Sequence, residues 1–194
     1  MASPTEDQPK RYVLDACVLY PVVVRDLLLT LAIESAFVPV WSDEIIDEMR
    51  RNVLADLPGI TAEQFDKATT TGMRKHFPAS FVGGYESLIM QMDNDSKDRH
   101  VAALAVHAAA AGIITYNLRD FRGHELQRRS IAVIHPAAFV ESILDAGPNP
   151  VERAIVGMSV RRRNPPMPPE AVVEAICRQQ GFARLRERLD ELVS

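Results

Sequence analysis

Apolar residues fall along the chain in two alternating kinds of run. Tyr12–Leu14 is a short β-prone run that ends at Asp15. From Asp26 to Phe37, Leu27, Leu28, Leu31 and Ala32 recur at helical spacing. Phe37–Trp41 (FVPVW) reads as a second strand. Ser42 after it is a good N-cap, with Asp43 and Glu44 in a first turn whose dipole favours acids. That helix is expected to run to about Leu54 and to stop before Pro58-Gly59. A threonine cap opens another polar-amphipathic helix, from about Thr61 to Lys75. Between Phe77 and Asp98 the pattern is irregular and closes on the acidic turn DNDSKD. An alanine-rich helix is expected from Asp98 to Ala111, closed by Gly112. Ile113–Tyr116 and Ile131–Ile134 are two more strands, and Pro136, at the favoured first position, opens a helix carrying Phe139, Val140, Ile143 and Leu144.

Short strands alternating with helices of ten or so residues predict a parallel sheet covered by helices, an α/β/α fold of three layers. No repeat of about 20–50 residues is visible. After Gly147-Pro148 the composition changes. VERAIVGMSVRRR is one amphipathic piece, NPPMPP a breaker, and Glu170–Leu192 one or two helices interrupted near Gly181. Residues 1–147 are therefore expected to form the α/β domain and 148–194 a helical C-terminal extension, docked on that body or packed against a partner. The polar start MASPTEDQPKR has no apolar stretch of the kind a secretory signal needs and reads as a frayed tail.

With 47% hydrophobic and 25% charged residues, the 194-residue chain can bury a core, and no apolar run is long enough to span a bilayer. Cys17 and Cys177 lie far apart, in no metal spacing, which excludes a disulfide scaffold or a zinc finger and fits a reducing, cytoplasmic setting. The formal net charge of −4 counts mildly against nucleic-acid binding by bulk charge, while leaving room for a local arginine patch beside an acidic metal site.

Ligands of open α/β sheets bind beyond the carboxyl ends of the strands. Asp15 follows the first strand, Asn117 and Asp120 follow IITY, and Asp98 opens the helix leading into that strand. Carboxylates forced together repel unless a cation neutralises them, and oxygen donors suit hard ions such as Mg²⁺ and Mn²⁺. On the Ser42 helix, Ile45, Ile46, Met49 and Val53 mark the buried stripe. Glu44 and Asp47 fall nearly opposite it, whereas Glu48 lies at its border and can reach over the core edge. Glu48 is the favoured carboxylate and Glu44 the second choice. Each residue alone has an ordinary reading: Asp15 and Asp98 as helix caps, Glu48 as a solvated helix residue, Asn117 and Asp120 as turn formers. Thr115 could hold a phosphate or simply bond the backbone at a strand end. Arg119 and Arg122, flanking the acids, are the best placed of the arginines at 50–51, 119, 122, 128–129 and 161–163 to meet a phosphate backbone. His100 and His107 read as surface helix residues, and the two cysteines as inert.

These segments together resemble the PIN-domain ribonucleases. VLDACVLYPVVVRDLLLTLA is similar to the family's opening strand and helix, SDEIIDEMRRNVL to its second block, and DSKDRHVAALAVHAAAAGIITYNLRDF to its third and fourth. The resemblance covers roughly the first 145 residues. It implies that Asp15, Glu48, Asp98, Asn117 and Asp120 hold one or two Mg²⁺ or Mn²⁺ ions for endonucleolytic cleavage of tRNA, rRNA or mRNA, leaving a 5′-phosphate and a 3′-hydroxyl. Many small bacterial members are VapC-like toxins, which implies an antitoxin partner and a homodimer. RRR at 161–163 could meet such an acidic partner. Two departures stand out. Asn117 replaces an aspartate common in the family, which keeps open a catalytically weak or silent module that binds RNA or a partner. Cys17 stands where a hydroxyl or amide often supports the first Asp, so that support is expected from elsewhere. A dehalogenase-like phosphatase would want an Asp where Cys17 is, a receiver domain an acidic pair before the first strand, and dinucleotide binding a Gly-rich turn after it; none is present.

Overall fold

The computed structural model describes residues 9–162 and 165–194; most of the expected N-terminal tail, and Arg163, lie outside the described residues. Four short strands form one parallel sheet: β1 (Arg11–Leu14), β2 (Val38–Val40), β3 (Gly112–Ile114) and β4 (Ala132–Ile134), in the order β2-β1-β3-β4. Pro39 is tolerated because β2 is an edge strand, where a missing amide donor breaks no inner ladder. At Gly112 there is no room for a side chain: a Cβ would lie 2.7 Å from the Ala132 carbonyl oxygen and 3.2 Å from the Tyr12 ring. The close approach of β1, β3 and β4 therefore depends on that glycine.

Helices cover the sheet in the expected three layers. After β1 come α1 (Ala16–Leu19) and α2 (Val22–Ile33); after β2 comes α3 (Asp43–Asp56). The Ser42 hydroxyl caps α3 by accepting the Ile45 amide at 3.3 Å, and Ile45, Ile46, Met49 and Val53 form its buried stripe as predicted. Thr61 opens α4 (Ala62–Phe65) with a reciprocal capping box to Gln64; a π-helical turn (Asp66–Thr70) then joins it to α5 (Thr71–His76). The irregular stretch contains 3₁₀ turns, of which Ser96–Asp98 leads into α6 (Arg99–His107). After β3 come α7 (His124–Arg128) and, behind β4, α8 (Pro136–Ala146).

Three expected helix boundaries move, the first being the end of α2, at Ile33 rather than Phe37, where the chain turns at Ser35 (φ 60°). Helix α2 begins at Val22 rather than Asp26, because burial of Val24 overrides the poor helix propensity of the valine run. Helix α6 stops at His107; the chain reverses at Ala109 (φ 49°), so Gly112 opens β3 and does not close the helix.

Of the two placements left open for the C-terminal segment, the structure has it docked on the body. Helices α9 (Asn149–Arg161) and α10 (Pro169–Cys177) lie against α2, and α11 (Arg186–Glu191) follows after a 3₁₀ turn. Val151, Ala154, Ile155 and Met158 of α9, with Val172, Val173, Ile176, Phe182 and Leu185 beyond it, belong to the same apolar core as Leu14, Trp41 and Ile113. Among the described residues no helix is long and apolar enough to cross a membrane.

Candidate functional site

The chain runs from β1 to β2 on one side of the sheet and reaches β3 on the other, so a crevice opens beyond the carboxyl ends of β1 and β3. Asp15 stands at the end of β1, 2% exposed, its amide bonded to the Ile114 carbonyl of β3 at 3.1 Å. It occupies the N-cap position of α1 yet makes no side-chain cap. Its Oδ2 instead accepts the Thr115 hydroxyl at 2.6 Å and the Cys17 thiol at 3.0 Å. The Thr115 oxygen in turn accepts the Asn117 amide at 2.9 Å. Support for Asp15 thus comes chiefly from a strand-end hydroxyl. Thr115 is wholly buried, its hydroxyl turned to Asp15 and its oxygen engaged by the strand-end backbone. Burial and the Asp15 charge raise the Cys17 pKa, keeping it a neutral thiol.

The acidic turn divides its labour. Asp93 accepts the His124 and Glu125 amides, at 2.7 and 3.2 Å, and so caps α7. Asp95 caps the 3₁₀ turn by accepting the Lys97 amide at 3.2 Å. Asp98, at the N-cap position of α6, caps nothing, and its Oδ2 is buried without a hydrogen-bond partner. Burial, then the charges of Asp15, Asp120 and Glu48 working against Lys97, push its pKa up to about 6. The pKa of Glu48 on α3 is also raised, by burial and then by Asp15, against the opposing charges of His100 and Arg51. Asp98 thus feels the charges of Asp15, Asp120 and Glu48, and Glu48 that of Asp15. Glu44 turns away to accept the Tyr85 hydroxyl at 3.1 Å.

At the rim, Asp120 is held by Lys97 at 3.2 Å, and its carbonyl accepts the Asp95 amide. Asn117 is exposed beside it. Arg119 and Arg122 are exposed too, and neither joins an ion pair among the described residues. The other arginines are mostly engaged: Arg50 with Asp47 and Asp66, Arg128 and Arg129 with Glu125, Arg161 with Asp26.

His100 is the residue the sequence reading missed. It is buried, and its Nε2 has no hydrogen-bond partner and stands 3.7 Å from Glu48 Oε2. A signal existed: the unbroken apolar run Val101–Ala105 directly after His100 marks that part of α6 as buried on all sides.

Whether these groups suit a cation can be judged from the donors. Carboxylate oxygens, one of them buried and unpartnered, fit a hard divalent ion. Among the described residues no three His, Cys, Asp or Glu side chains stand close enough to close round one ion.

The chain belongs to the PIN-domain family, whose profile matches residues 11–119. It is 36% identical over 111 residues to a Mycobacterium tuberculosis (strain ATCC 25618 / H37Rv) protein named "Putative ribonuclease VapC50". That stretch is 57% of this chain and 66% of the relative's length. No solved structure matches the chain. The family match ends just before Asp120, so that residue and the C-terminal extension lie beyond it.

Proposed function

We propose that the protein is a divalent-metal-dependent endoribonuclease, the toxin of a toxin–antitoxin pair. One observation carries the reading: a buried Asp98 carboxylate that caps no helix and lacks a partner, electrostatically coupled to Asp15 and Glu48. A protein stabilised by its own contacts has no use for such a group, whereas a cation site has. Family membership and the similarity to a protein named as a ribonuclease support it.

Asp15, Glu48, Asp98 and Asp120, with the Asn117 amide oxygen at the rim, are the groups that would hold Mg²⁺ or Mn²⁺. When bound, the ion supplies Lewis acidity and charge neutralisation for hydrolysis of a phosphodiester bond. Thr115 and Cys17 fix one oxygen of Asp15 and leave the other to face the crevice. His100 Nε2, 3.7 Å from Glu48 and otherwise unpartnered, is placed to orient that carboxylate by closing to hydrogen-bond distance. Arg119 and Arg122 can take the RNA backbone. An antitoxin partner is supported by the likeness to a VapC protein and by an exposed apolar groove bearing Val22, Leu57 and Ile60. A homodimer in the cytoplasm completes the reading on family grounds.

Asn117, where an aspartate is common in the family, favours one alternative, a silent RNA- or partner-binding module. Partner-free protein incubated with total RNA and Mn²⁺ or Mg²⁺ separates the two. Discrete cleavage abolished both by EDTA and by Asp15→Ala is expected; intact RNA with every metal, and no metal binding by calorimetry, would establish the silent module.

A further inference from the structure

Beside Asp120 lies a cavity of about 460 Å³ whose walls come from three parts of the chain, one of them His135 at the start of α8. The loop after β3 supplies Tyr116 through Asp120 with Arg122, and the C-terminal extension supplies Gln180. The extension is fitted to this place. Gly181 adopts φ 79°, and a Cβ there would lie 2.5 Å from the His135 imidazole. His135 in turn caps α8, accepting the Ala137 amide at 3.1 Å, and packs edge-on against Tyr116 with ring centroids 5.1 Å apart. Gln180 is therefore carried on a turn seated against the base of the Asn117 loop.

The cavity's chemistry suits a nucleotide. Arg119 and Arg122 are exposed cations free of ion pairs among the described residues, as phosphate contacts require. Leu118, 42% exposed, offers apolar surface to a base. The Asn117 and Gln180 amides each carry donors and an acceptor, the groups that read base edges. Asp120 lines the cavity and is tied, through Lys97 and the Asp95 amide, to the turn that carries Asp98, so cavity and candidate site share one wall.

We propose that this cavity is a nucleotide subsite and that Gln180, from the C-terminal extension, reads the base adjacent to the scissile phosphate. The proposal rests on the ribonuclease reading, but its test does not need cleavage. Full-length protein in EDTA is titrated with fluorescent single-stranded homopolymers of A, C, G and U. One base should bind best. Gln180→Ala, a surface change that leaves the fold alone, should weaken that oligonucleotide about tenfold and level the four affinities. Arg119→Ala should weaken all four alike and reduce the salt dependence. Equal affinity for the four homopolymers, no RNA binding, or an unchanged preference in Gln180→Ala would each overturn the subsite. So would displacement of RNA by polyglutamate at the same affinity, since that marks an anionic protein partner. Base-selective binding without metal-dependent cleavage would sink the nuclease and leave the subsite standing. Cleavage whose pattern ignores Gln180→Ala would do the reverse.

Discussion

The carboxylate of Asp98 is buried with one oxygen unbonded, so its charge is disfavoured in the folded protein and not in the unfolded one. Its pKa moves from an ordinary 3.8 up to about 6. For a group raised on folding, the stability it permits is complete below the unfolded value and is lost as pH climbs through the folded one. Metal-free protein should therefore lose stability between about pH 4 and pH 6 on account of Asp98, and Glu48, raised for the same reasons, adds to the loss. Asp98→Asn removes the penalty while keeping the shape. It is expected to stabilise the metal-free protein at pH 7 by about 1–2 kcal/mol, allowing for partial hydration, and to flatten that part of the profile. Urea denaturation at several pH values in EDTA measures this. A less stable Asp98→Asn protein at pH 7 would mean that Asp98 is a structural acid after all.

Among the elements, those whose ends are set by their own residues were legible in the sequence, and those set by distant contacts were not. Ser42 and Thr61 cap their helices through bonds only three residues long, so both starts could be read directly. The end of α6 could not, because its alanines favour helix while the pairing of Gly112 with Tyr12 and Ala132 pulls the chain out at Ala109. Of the candidate site, strand ends and helix phase were enough to nominate Asp15, Glu48, Asp98 and Asp120. The buried Thr115 and His100 were not, since what they touch lies 100 and 52 residues away in Asp15 and Glu48. The Ser42 cap also sets the phase that points Glu48 at the crevice. Ser42→Ala should cost about 1 kcal/mol by removing the acceptor of the Ile45 amide. A chemical melt unchanged from wild type would show that the Tyr85–Glu44 bond and the Trp41–Phe81 bridge hold that helix start unaided.

For the whole molecule, site and core are coupled because the acids are delivered by elements that meet only when the fold closes. Asp15 comes from β1, Glu48 from α3, Asp98 from the start of α6 and Asp120 from the loop after β3, whereas an unfolded chain scatters them. A cation that bridges them binds the native state alone and must stabilise it by mass action. At about one hundred times its dissociation constant the gain is about 2.7 kcal/mol. For a chain of this size that corresponds to a rise in Tm of about 5–10 °C. Adding Mn²⁺ to EDTA-treated protein should produce this shift in a calorimetric melt. The extension shares its core with the body, so α9–α11 should melt in the same transition and rise with it. Asp98→Asn should start from a higher Tm without metal and gain little with it. That crossing of the two proteins separates a cation site from a general salt effect, which would lift both by the same amount.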